Sequence, residues 1–249
     1  MKNKQNKHSF TYRLCASLVH SAYKHPNLVD FDKLDTTEPC MFVGNHAQLY
    51  GPIFAELIFP LEKRIWCIGE VMDKSTATAY CYKDFWPHKN KFFAPLYKIP
   101  ALFAGWLVGK LSREVNAIPV YHDGRLLGTI KGTLSALEEG KNVVLFPEYL
   151  QPYNDILYQF YDKYVDVAKL YYKRTGKCLK FVPMYIAPTI STIAVGTPIA
   201  YDPTNDPNAE RDKINNYIKD EITRVAKSLP KHKIVPYENI KKKNYPYNK

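Results

Sequence analysis

The chain has 249 residues, of which 46% are hydrophobic, and its formal net charge is +11. A chain of this length buries enough apolar surface to fold without a disulfide or a metal staple. Its five cysteines are odd in number and lack a C-x-x-C spacing, which excludes the common thiolate metal sites and indicates a reducing compartment. The positive charge favours anionic partners such as phospholipid headgroups, nucleic acid or acidic acyl carriers.

The first half of the chain alternates between helical and strand patterns. A four-residue recurrence of apolar residues predicts an amphipathic helix over residues 10–23, ended by Pro26. A buried strand at 40–43 leads into the polar loop Gly44-Asn45-His46-Ala47-Gln48, and Pro52 then fits the first turn of a helix reaching about residue 59. Another strand is predicted at 65–68, whereas the aromatic segment 76–93 supports no assignment, and residues 96–111 have a mostly apolar helical pattern.

The second half continues the alternation, and its predicted elements in chain order are a strand at 117–121, a helix from 127 that ends at Gly140, a strand at 142–146, a long helix at 156–174, strands at 179–186 and 193–196, and a helix at 207–229. Such alternation predicts an α/β fold with a mostly parallel sheet and helices on both faces. We expect an N-terminal helical addition at 1–35, the α/β domain at 36–230 and a basic tail at 231–249. The last ten residues are expected to be solvated.

Polar residues follow three of the predicted strands, and their sequences are Asn45-His46, Tyr121-His122-Asp123-Gly124-Arg125 and Phe146-Pro147-Glu148-Tyr149. Because ligands of open α/β sheets bind beyond the carboxyl ends of the strands, these segments predict one site. Histidine titrates near neutrality, so His46 could act as a general base, although a loop histidine that merely bonds to backbone is the commoner case. No cluster of potential ligands indicates a metal.

Four short segments, taken in order, resemble the motifs of the lysophospholipid acyltransferase superfamily, which includes the 1-acylglycerol-3-phosphate acyltransferases. They are Val43-Gly44-Asn45-His46, Ile118-Pro119-Val120-Tyr121-His122, Leu145-Phe146-Pro147-Glu148 and Phe181-Val182-Pro183-Met184. The resemblance spans roughly residues 38 to 200. A single motif of this kind is weakly specific, whereas four in the right order are considerably more specific.

The resemblance implies an acyltransferase that moves a fatty acyl group from a thioester donor to a hydroxyl of a lysophospholipid or glycerol-phosphate-type acceptor. His46 would remove the proton from that hydroxyl, with Asn45 supporting the site. Acyl-CoA or acyl carrier protein would be a co-substrate, and no permanently bound cofactor is implied. The implied lipid substrates make a cytoplasmic, peripheral position at the inner face of the membrane the expected one.

The sequence departs from the family at the position five residues after His46, where Gly51 replaces the usual aspartate. Glycine can neither orient an imidazole nor offset its charge, and neutralising the equivalent carboxylate of serine hydrolases costs about 10⁴ in rate. Asp123 and Glu148 are the main candidates for a replacement orienting carboxylate, although Asp123 in an Asp-Gly pair is also typical of an ordinary turn. Tyr50 and Glu56 are further candidates, and a lipid-binding pseudoenzyme at the membrane surface is the alternative function.

The acceptor would be bound by residues of the second and third motifs, namely His122, Arg125, Phe146, Pro147, Glu148 and Tyr149. His122 stands where the family usually has arginine, and Arg125 could reach the same phosphate through two hydrogen bonds. Arg125 is equally compatible with a solvated helix start. Tyr149 replaces the family's glycine, and its bulk is expected to narrow the pocket or to change the acceptor.

An anionic membrane surface is the expected macromolecular partner. No stretch reaches the roughly 20 apolar residues that span a bilayer, and Arg13, His20 and Lys24 interrupt the only region that could form a secretory signal. The apolar segment 92–111, with Lys98 and Lys110 near its ends, fits either an interfacial helix or a helix packed in the core. No motif of a specific nucleic-acid binder is present.

Overall fold

The structure, a computed structural model, describes residues 8–85, 94–121 and 123–249. These residues form two compact units. Unit 1 contains the described residues up to Leu18 together with those of Trp66–Gly132, and unit 2 contains Val19–Ile65 and Thr133–Lys249.

The helices are α1 (Phe10–Ala22), α2 (Tyr50–Leu57), α3 (Gly69–Met72), α4 (Ala77–Phe85), α5 (Ala94–Glu114), α6 (Leu126–Glu138), α7 (Asp166–Thr175) and α8 (Pro207–Ser228). The strands are β1 (Asn27–Val29), β2 (Cys40–Gly44), β3 (Lys63–Ile68), β4 (Ile118–Val120), β5 (Asn142–Leu145), β6 (Glu148–Tyr153), β7 (Tyr158–Phe160), β8 (Lys180–Ala187), β9 (Thr192–Val195) and β10 (Ile199–Ala200). The elements predicted at 10–23, 40–43, 65–68, 96–111, 117–121, 127–140, 142–146, 179–186, 193–196 and 207–229 are confirmed, with bounds that shift by a few residues.

Unit 2 is built on a sheet in which β1, β9, β8, β2, β5 and the first half of β3 follow one another. Four of its pairs are parallel, and they are β1–β9, β8–β2, β2–β5 and β5–β3. Two pairs are antiparallel, and they are β8–β9 and β8–β10. All five residues of β2 are buried, as expected for an apolar strand that lies inside a parallel sheet. The predicted α/β fold with a mostly parallel sheet is therefore confirmed.

The register of the central strands determines which loops come together. Val43 of β2 lies opposite Leu145 of β5 and Pro183 of β8, and all three strands run in the same direction. The loops that follow β2 and β5 consequently begin at one edge of the sheet. This edge carries the polar residues that the sequence predicts to form a site.

Unit 1 contains the second half of β3, which pairs in parallel with β4, and the helix α5. The buried side of α5 carries small residues, since Ala101 and Gly109 face the unit together with Gly105. A Cβ atom at Gly105 would lie 2.8 Å from the carbonyl carbon of Ala77, and one at Gly109 would lie 2.5 Å from the carbonyl oxygen of Val71. The small residues therefore let the backbone of α5 approach its neighbours closely.

The helix predicted at 156–174 is wrong in its first half, because β6 and β7 form an antiparallel hairpin and α7 begins only at Asp166. The apolar residues whose helical spacing suggested this helix are all buried, but they belong in succession to a strand, a turn of 3-10 helix and α7, and they are Phe160, Tyr164, Val167, Ala168 and Tyr171. Asn154 favours a turn at the start of the predicted helix, because its Oδ1 accepts hydrogen bonds from the backbone N–H groups of Ile156 at 3.2 Å and Leu157 at 2.9 Å. Side chains of this kind compete with helical hydrogen bonds.

The last residues were predicted to be solvated, and this is wrong for Tyr245 and Asn248, which are buried. The C-terminal segment 231–249 belongs to unit 2, and within it Lys233 and Tyr247 pair as an antiparallel bridge. Its lysines at 241–243 do lie at the surface. Apolar residues of this segment, among them Ile234, Val235 and Tyr245, are buried within unit 2, so the segment packs although its lysines at 241–243 are exposed.

Replacement of Asn248 by alanine tests whether this segment contributes to folding. The side chain is 2% exposed, donates to the carbonyl of Ala226 at 2.8 Å and accepts from the N–H of His232 at 2.9 Å. Asn248→Ala leaves these buried groups unpaired, so the free energy of unfolding should fall by about 2 kcal/mol in urea titrations. Tyr247→Phe, at an exposed neighbouring position, should change it by less than about 0.5 kcal/mol. Equal stability of Asn248→Ala and the unaltered protein would contradict the packed arrangement.

Candidate functional site

The loop after β2 starts from a fixed position because Asn45 extends the pairing of β2 with β8. Its buried side-chain amide donates to the carbonyl of Ile186 at 3.0 Å and accepts the N–H of the same residue at 2.7 Å. These two bonds replace a further step of the strand ladder. Asn45, predicted to support the site, thus positions the residue that follows it.

The loop then makes a tight turn around His46. Ala47 and Gln48 have φ angles of 46° and 54°, in the left-handed region that residues other than glycine rarely adopt. The N–H of Gly51 donates to the carbonyl of His46 at 2.9 Å and closes the turn. In this conformation the carbonyl of Gln48 points back to the imidazole and forms a hydrogen bond with Nδ1 of His46.

The His46 ring is half-buried and lies between two aromatic side chains. Its centroid is 5.7 Å from that of Phe146 and 5.2 Å from that of Tyr237. Phe146 follows β5 and was predicted to line the site, whereas Tyr237 comes from the C-terminal segment and was not. The aromatic neighbours give the ring an apolar surrounding on two sides.

Gly51 is required by this turn. A Cβ atom at position 51 would lie 2.3 Å from the carbonyl oxygen of His46 and 2.9 Å from its carbonyl carbon, both of them backbone atoms. An aspartate therefore cannot occupy this position without rebuilding the loop. The same turn brings a neutral backbone carbonyl, that of Gln48, within hydrogen-bond distance of the ring.

Glu148 contacts the backbone of His46. One carboxylate oxygen accepts the N–H of His46 at 2.5 Å, and the other accepts the N–H of Tyr158 at 2.9 Å. Glu148 is 6% exposed, and burial raises the pKa of its carboxyl to about 7 against the opposing effect of the two N–H groups. Its carboxylate thus joins the His46 loop to the β6–β7 hairpin.

The other predicted residues of the third motif lie in the same region of unit 2. Pro147 accepts a hydrogen bond from the N–H of Tyr161 at 2.9 Å, and the ring of Tyr149 stacks on that of Tyr161 at 4.3 Å. The structure therefore brings His46 together with Phe146 and Glu148. Tyr50 and Glu56, weaker candidates for orienting the imidazole, both lie on α2, where the side chain of Tyr50 packs against the apolar core.

Asp123 and Arg125 lie in unit 1 and bond to each other. Nη2 of Arg125 is 2.7 Å from Oδ2 of Asp123, and its guanidinium lies 3.7 Å from the ring centroid of Tyr121. The hydrogen bonds from Arg125 hold the pKa of the Asp123 carboxyl well below its usual range. The role of Asp123 as an orienting carboxylate stays a prediction, and so does the role of His122, which lies outside the described residues.

Sequence reasoning missed Gln48, Tyr158 and Tyr237 at this site. A backbone carbonyl has no signature in a sequence, because every residue has one. Tyr237 lies in a segment that was taken for a basic tail, and Tyr158 was placed in a helix. Within the part of the chain that the structure describes, no three His, Cys, Asp or Glu side chains are grouped so that they could bind a metal ion.

Comparison with known proteins finds a likeness in structure. No protein family and no curated protein matches the sequence. The chain is similar to the crystal structure of the 1-acyl-sn-glycerophosphate (LPA) acyltransferase PlsC from Thermotoga maritima, with 12% sequence identity and a TM-score of 0.46 over 90% of this chain and 84% of that one. The two chains share so few residues that the likeness does not bear on the chemistry of His46.

The raised pKa of Glu148 predicts a particular dependence of stability on pH. In the unfolded chain the carboxyl titrates near 4.5, and in the folded protein near 7. Between these values the folded state binds more protons, so this group's contribution is full below about pH 4.5 and falls as the pH rises to about 7. The total change is about 3 kcal/mol.

Urea unfolding of the unaltered protein and of Glu148→Gln between pH 4.5 and 7.5 measures this contribution. As the pH rises, the unaltered protein should lose stability relative to Glu148→Gln, because only the carboxyl group titrates. The variant also has a constant cost at every pH, since one backbone N–H group now meets the glutamine NH₂. Glu139→Gln is the control: a hydrogen bond from Lys141 lowers the pKa of the exposed Glu139, so its difference should be flat in this range. A flat difference for Glu148 would contradict the assignment.

Proposed function

We propose that the protein is an O-acyltransferase that moves a fatty acyl group from acyl-CoA or acyl carrier protein to a hydroxyl of a lysophospholipid or glycerol-phosphate-type acceptor. The observation that carries the proposal is the half-buried imidazole of His46 at the carboxyl end of β2, beside the Phe146–Glu148 segment. Three of the four segments that resemble the superfamily motifs lie on neighbouring strands β8, β2 and β5. Since these strands are parallel neighbours, the loops after β2 and β5 begin at the same end of the sheet, which supports one shared site for the first and third segments.

The proposed reaction needs one base and no covalent enzyme intermediate. His46 takes the proton of the acceptor hydroxyl while the hydroxyl oxygen attacks the carbonyl carbon of the thioester. The carbon–sulfur bond then breaks, and the imidazolium returns its proton to the leaving thiolate. The products are the ester and the free thiol, so the enzyme is unchanged.

One hydrogen-bond partner of the imidazole, the carbonyl of Gln48, is neutral. A backbone carbonyl orients the ring but stabilises the protonated form less than a carboxylate does, and catalysis requires that form to be populated in the transition state. Gly51 at the position of the family's aspartate motivates the alternative, a lipid-binding protein that retains the architecture without transferring an acyl group. Measured transfer separates the two.

Arg125 remains the proposed contact for an acceptor phosphate. The stacking on Tyr121 and the bonds to Asp123 keep its guanidinium in one orientation at the surface of unit 1. A planar guanidinium with a fixed orientation suits the two-point recognition of a phosphate. A bound phosphate would share this cation with Asp123.

We further propose that unit 1 binds an anionic membrane surface. Large apolar side chains project outward from α5 and α1, and they are Leu96, Ile99, Leu102, Phe103 and Trp106 on α5 and Phe10, Leu14 and Leu18 on α1. Ile99 and Phe10 are each 72% exposed. Since the buried side of α5 carries small residues, its outer side is the more apolar one. Phe92 and Phe93, which were predicted to belong to this segment, lie outside the described residues.

The charges near the exposed apolar side chains of α1 and α5, here called the apolar rows, support an anionic partner. Residues 8–18 and 94–113 contain no aspartate or glutamate, but they include Arg13, Lys98, Lys110 and Arg113. Lys110 donates to Thr11 at 2.7 Å, which places α1 and α5 side by side within unit 1. None of the described helices is both long and apolar enough to cross a bilayer. Apolar rows flanked by cations are typical of a helix that lies in the lipid interface.

A vesicle-binding experiment tests the membrane proposal. Ile99→Glu with Phe103→Glu should weaken binding to phosphatidylcholine vesicles containing phosphatidylglycerol by at least about tenfold, because two apolar side chains no longer enter the interface. Leu170→Glu, at an exposed apolar residue of α7 in unit 2, should leave binding unchanged. Equal binding of the double variant and the unaltered protein would contradict the proposed surface.

Loss of the base tests the catalytic proposal. His46→Gln, which preserves much of the side-chain volume, should reduce acyl transfer by roughly a hundred- to ten-thousandfold, the usual contribution of a general base. The products from isotope-labelled acyl-CoA and acyl carrier protein would be followed by lipid mass spectrometry, with several lysolipid acceptors. His25→Gln, at an exposed histidine, is the matched control. Full transfer by His46→Gln would exclude the mechanism, and no transfer by the unaltered protein would favour the lipid-binding alternative.

A further inference from the structure

The hydrogen bond between His46 and Gln48 determines which nitrogen of the imidazole can act as a base. A carbonyl oxygen only accepts hydrogen bonds, so Nδ1 of the neutral ring must carry the proton that it donates to Gln48. The lone pair is then on Nε2. A ring in this tautomer can take a proton at Nε2 and at no other atom.

The side chain of Gln48 is bound at both ends by the C-terminal segment 231–249. Its Nε2 donates to the carbonyl of Glu238 at 3.3 Å, and its Oε1 accepts from the hydroxyl of Tyr245 at 3.3 Å. Tyr245 is itself buried in a small cluster with Ala47 and Val235. The two residues of the loop that have left-handed backbone conformations are thus both in contact with this segment.

These contacts belong to a hydrogen-bond network that leads from His46 through other residues and back to it. The ring bonds to the backbone carbonyl of Gln48, and the side chain of Gln48 donates to the backbone carbonyl of Glu238. The carboxylate of Glu238 accepts from the hydroxyl of Tyr158 at 3.1 Å, and the N–H of Tyr158 donates to Glu148 at 2.9 Å. Glu148 returns to His46 by accepting its backbone N–H at 2.5 Å.

We propose that Gln48 is the positioning residue for His46 in place of the absent aspartate, and that the C-terminal segment maintains its position through the Gln48 side chain. The catalytic meaning of this proposal rests on the proposed function of His46. The physical reason is the cost of the loop conformation, because consecutive left-handed residues persist only where surrounding contacts impose them. Without those contacts, the Gln48 carbonyl would turn away and the ring would populate both tautomers.

The tautomer of His46 can be measured independently of activity. In protein labelled with ¹⁵N-histidine, NMR at a pH where the ring is neutral should show His46 protonated at Nδ1. Gln48→Ala, which removes the side-chain contacts but keeps the carbonyl, should give a mixture of tautomers. Tyr245→Phe, which removes one hydroxyl, should give a smaller shift in the same direction. Tyr247→Phe, in the same segment but exposed, should resemble the unaltered protein.

Acyl-transfer kinetics add a second readout. We expect kcat of Gln48→Ala to fall about tenfold, the loss that follows when the hydrogen bond between the ring and the Gln48 carbonyl is broken, with KM within about twofold. A variant that only loosens substrate binding would raise KM instead. Far-UV circular dichroism and urea unfolding establish that each variant is folded, and Tyr245→Phe serves if Gln48→Ala is not.

The outcomes separate this proposal from the proposed function. A proton on Nε2 in the unaltered protein, or the same tautomer in the unaltered protein and both variants, overturns the positioning role whatever the activity. The expected tautomers in a protein that transfers no acyl group would support the positioning role and remove the acyltransferase assignment. A rise in KM with unchanged kcat in Gln48→Ala would assign the residue to substrate binding and overturn the proposal.

Discussion

Only a hydrogen atom fits on the Cα of residue 51, and the conformation of the loop that carries the candidate base depends on this constraint. The Cα of Gly51 lies against the His46 carbonyl so closely that any Cβ would overlap it. This contact closes the turn in which Ala47 and Gln48 adopt left-handed conformations, and that turn directs a carbonyl to the imidazole. In this loop a hydrogen bond to Nδ1 of His46 therefore comes from a backbone carbonyl, and position 51 has no room for a side chain.

The surroundings of this loop combine a rigid sheet edge with a segment distant in sequence. Asn45 connects the loop to β8. Glu148 connects it to the β6–β7 hairpin through a carboxyl group whose pKa is raised by burial. The C-terminal segment supplies Tyr237 beside the ring and two contacts to Gln48. The candidate site of unit 2 thus depends on residues from three regions of the chain. Within unit 1, the apolar rows and the guanidinium of Arg125 are exposed.

The sequence was sufficient where a single physical rule determined the structure. Buried apolar runs identified β2, β5 and β8, and the rule that parallel strands share an edge placed His46 near Glu148. The sequence was misleading where one pattern fits two structures. The apolar spacing of Phe160, Tyr164 and Tyr171 fits a single helix, but Asn154 favours a hairpin and the helix begins only after it. Sequence reasoning also failed where no pattern exists, because the Gln48 carbonyl is chemically like every other carbonyl. The apolar residues of 231–249 are too few and too widely separated by lysines to predict burial.

The arrangement of α5 has a consequence for how the sequence of this protein can diverge. In an ordinary amphipathic helix, the inner positions are large and exchange among apolar types, while the outer positions drift freely among polar ones. Here the inner positions Gly105 and Gly109 admit almost no increase in volume, because backbone atoms of α4 and α3 lie directly against them, and Ala101 on the same side is fully buried. Under the proposed membrane binding, the outer positions can vary in shape so long as they stay apolar. Selection on this helix would therefore act on size inside and on polarity outside, the reverse of the usual division.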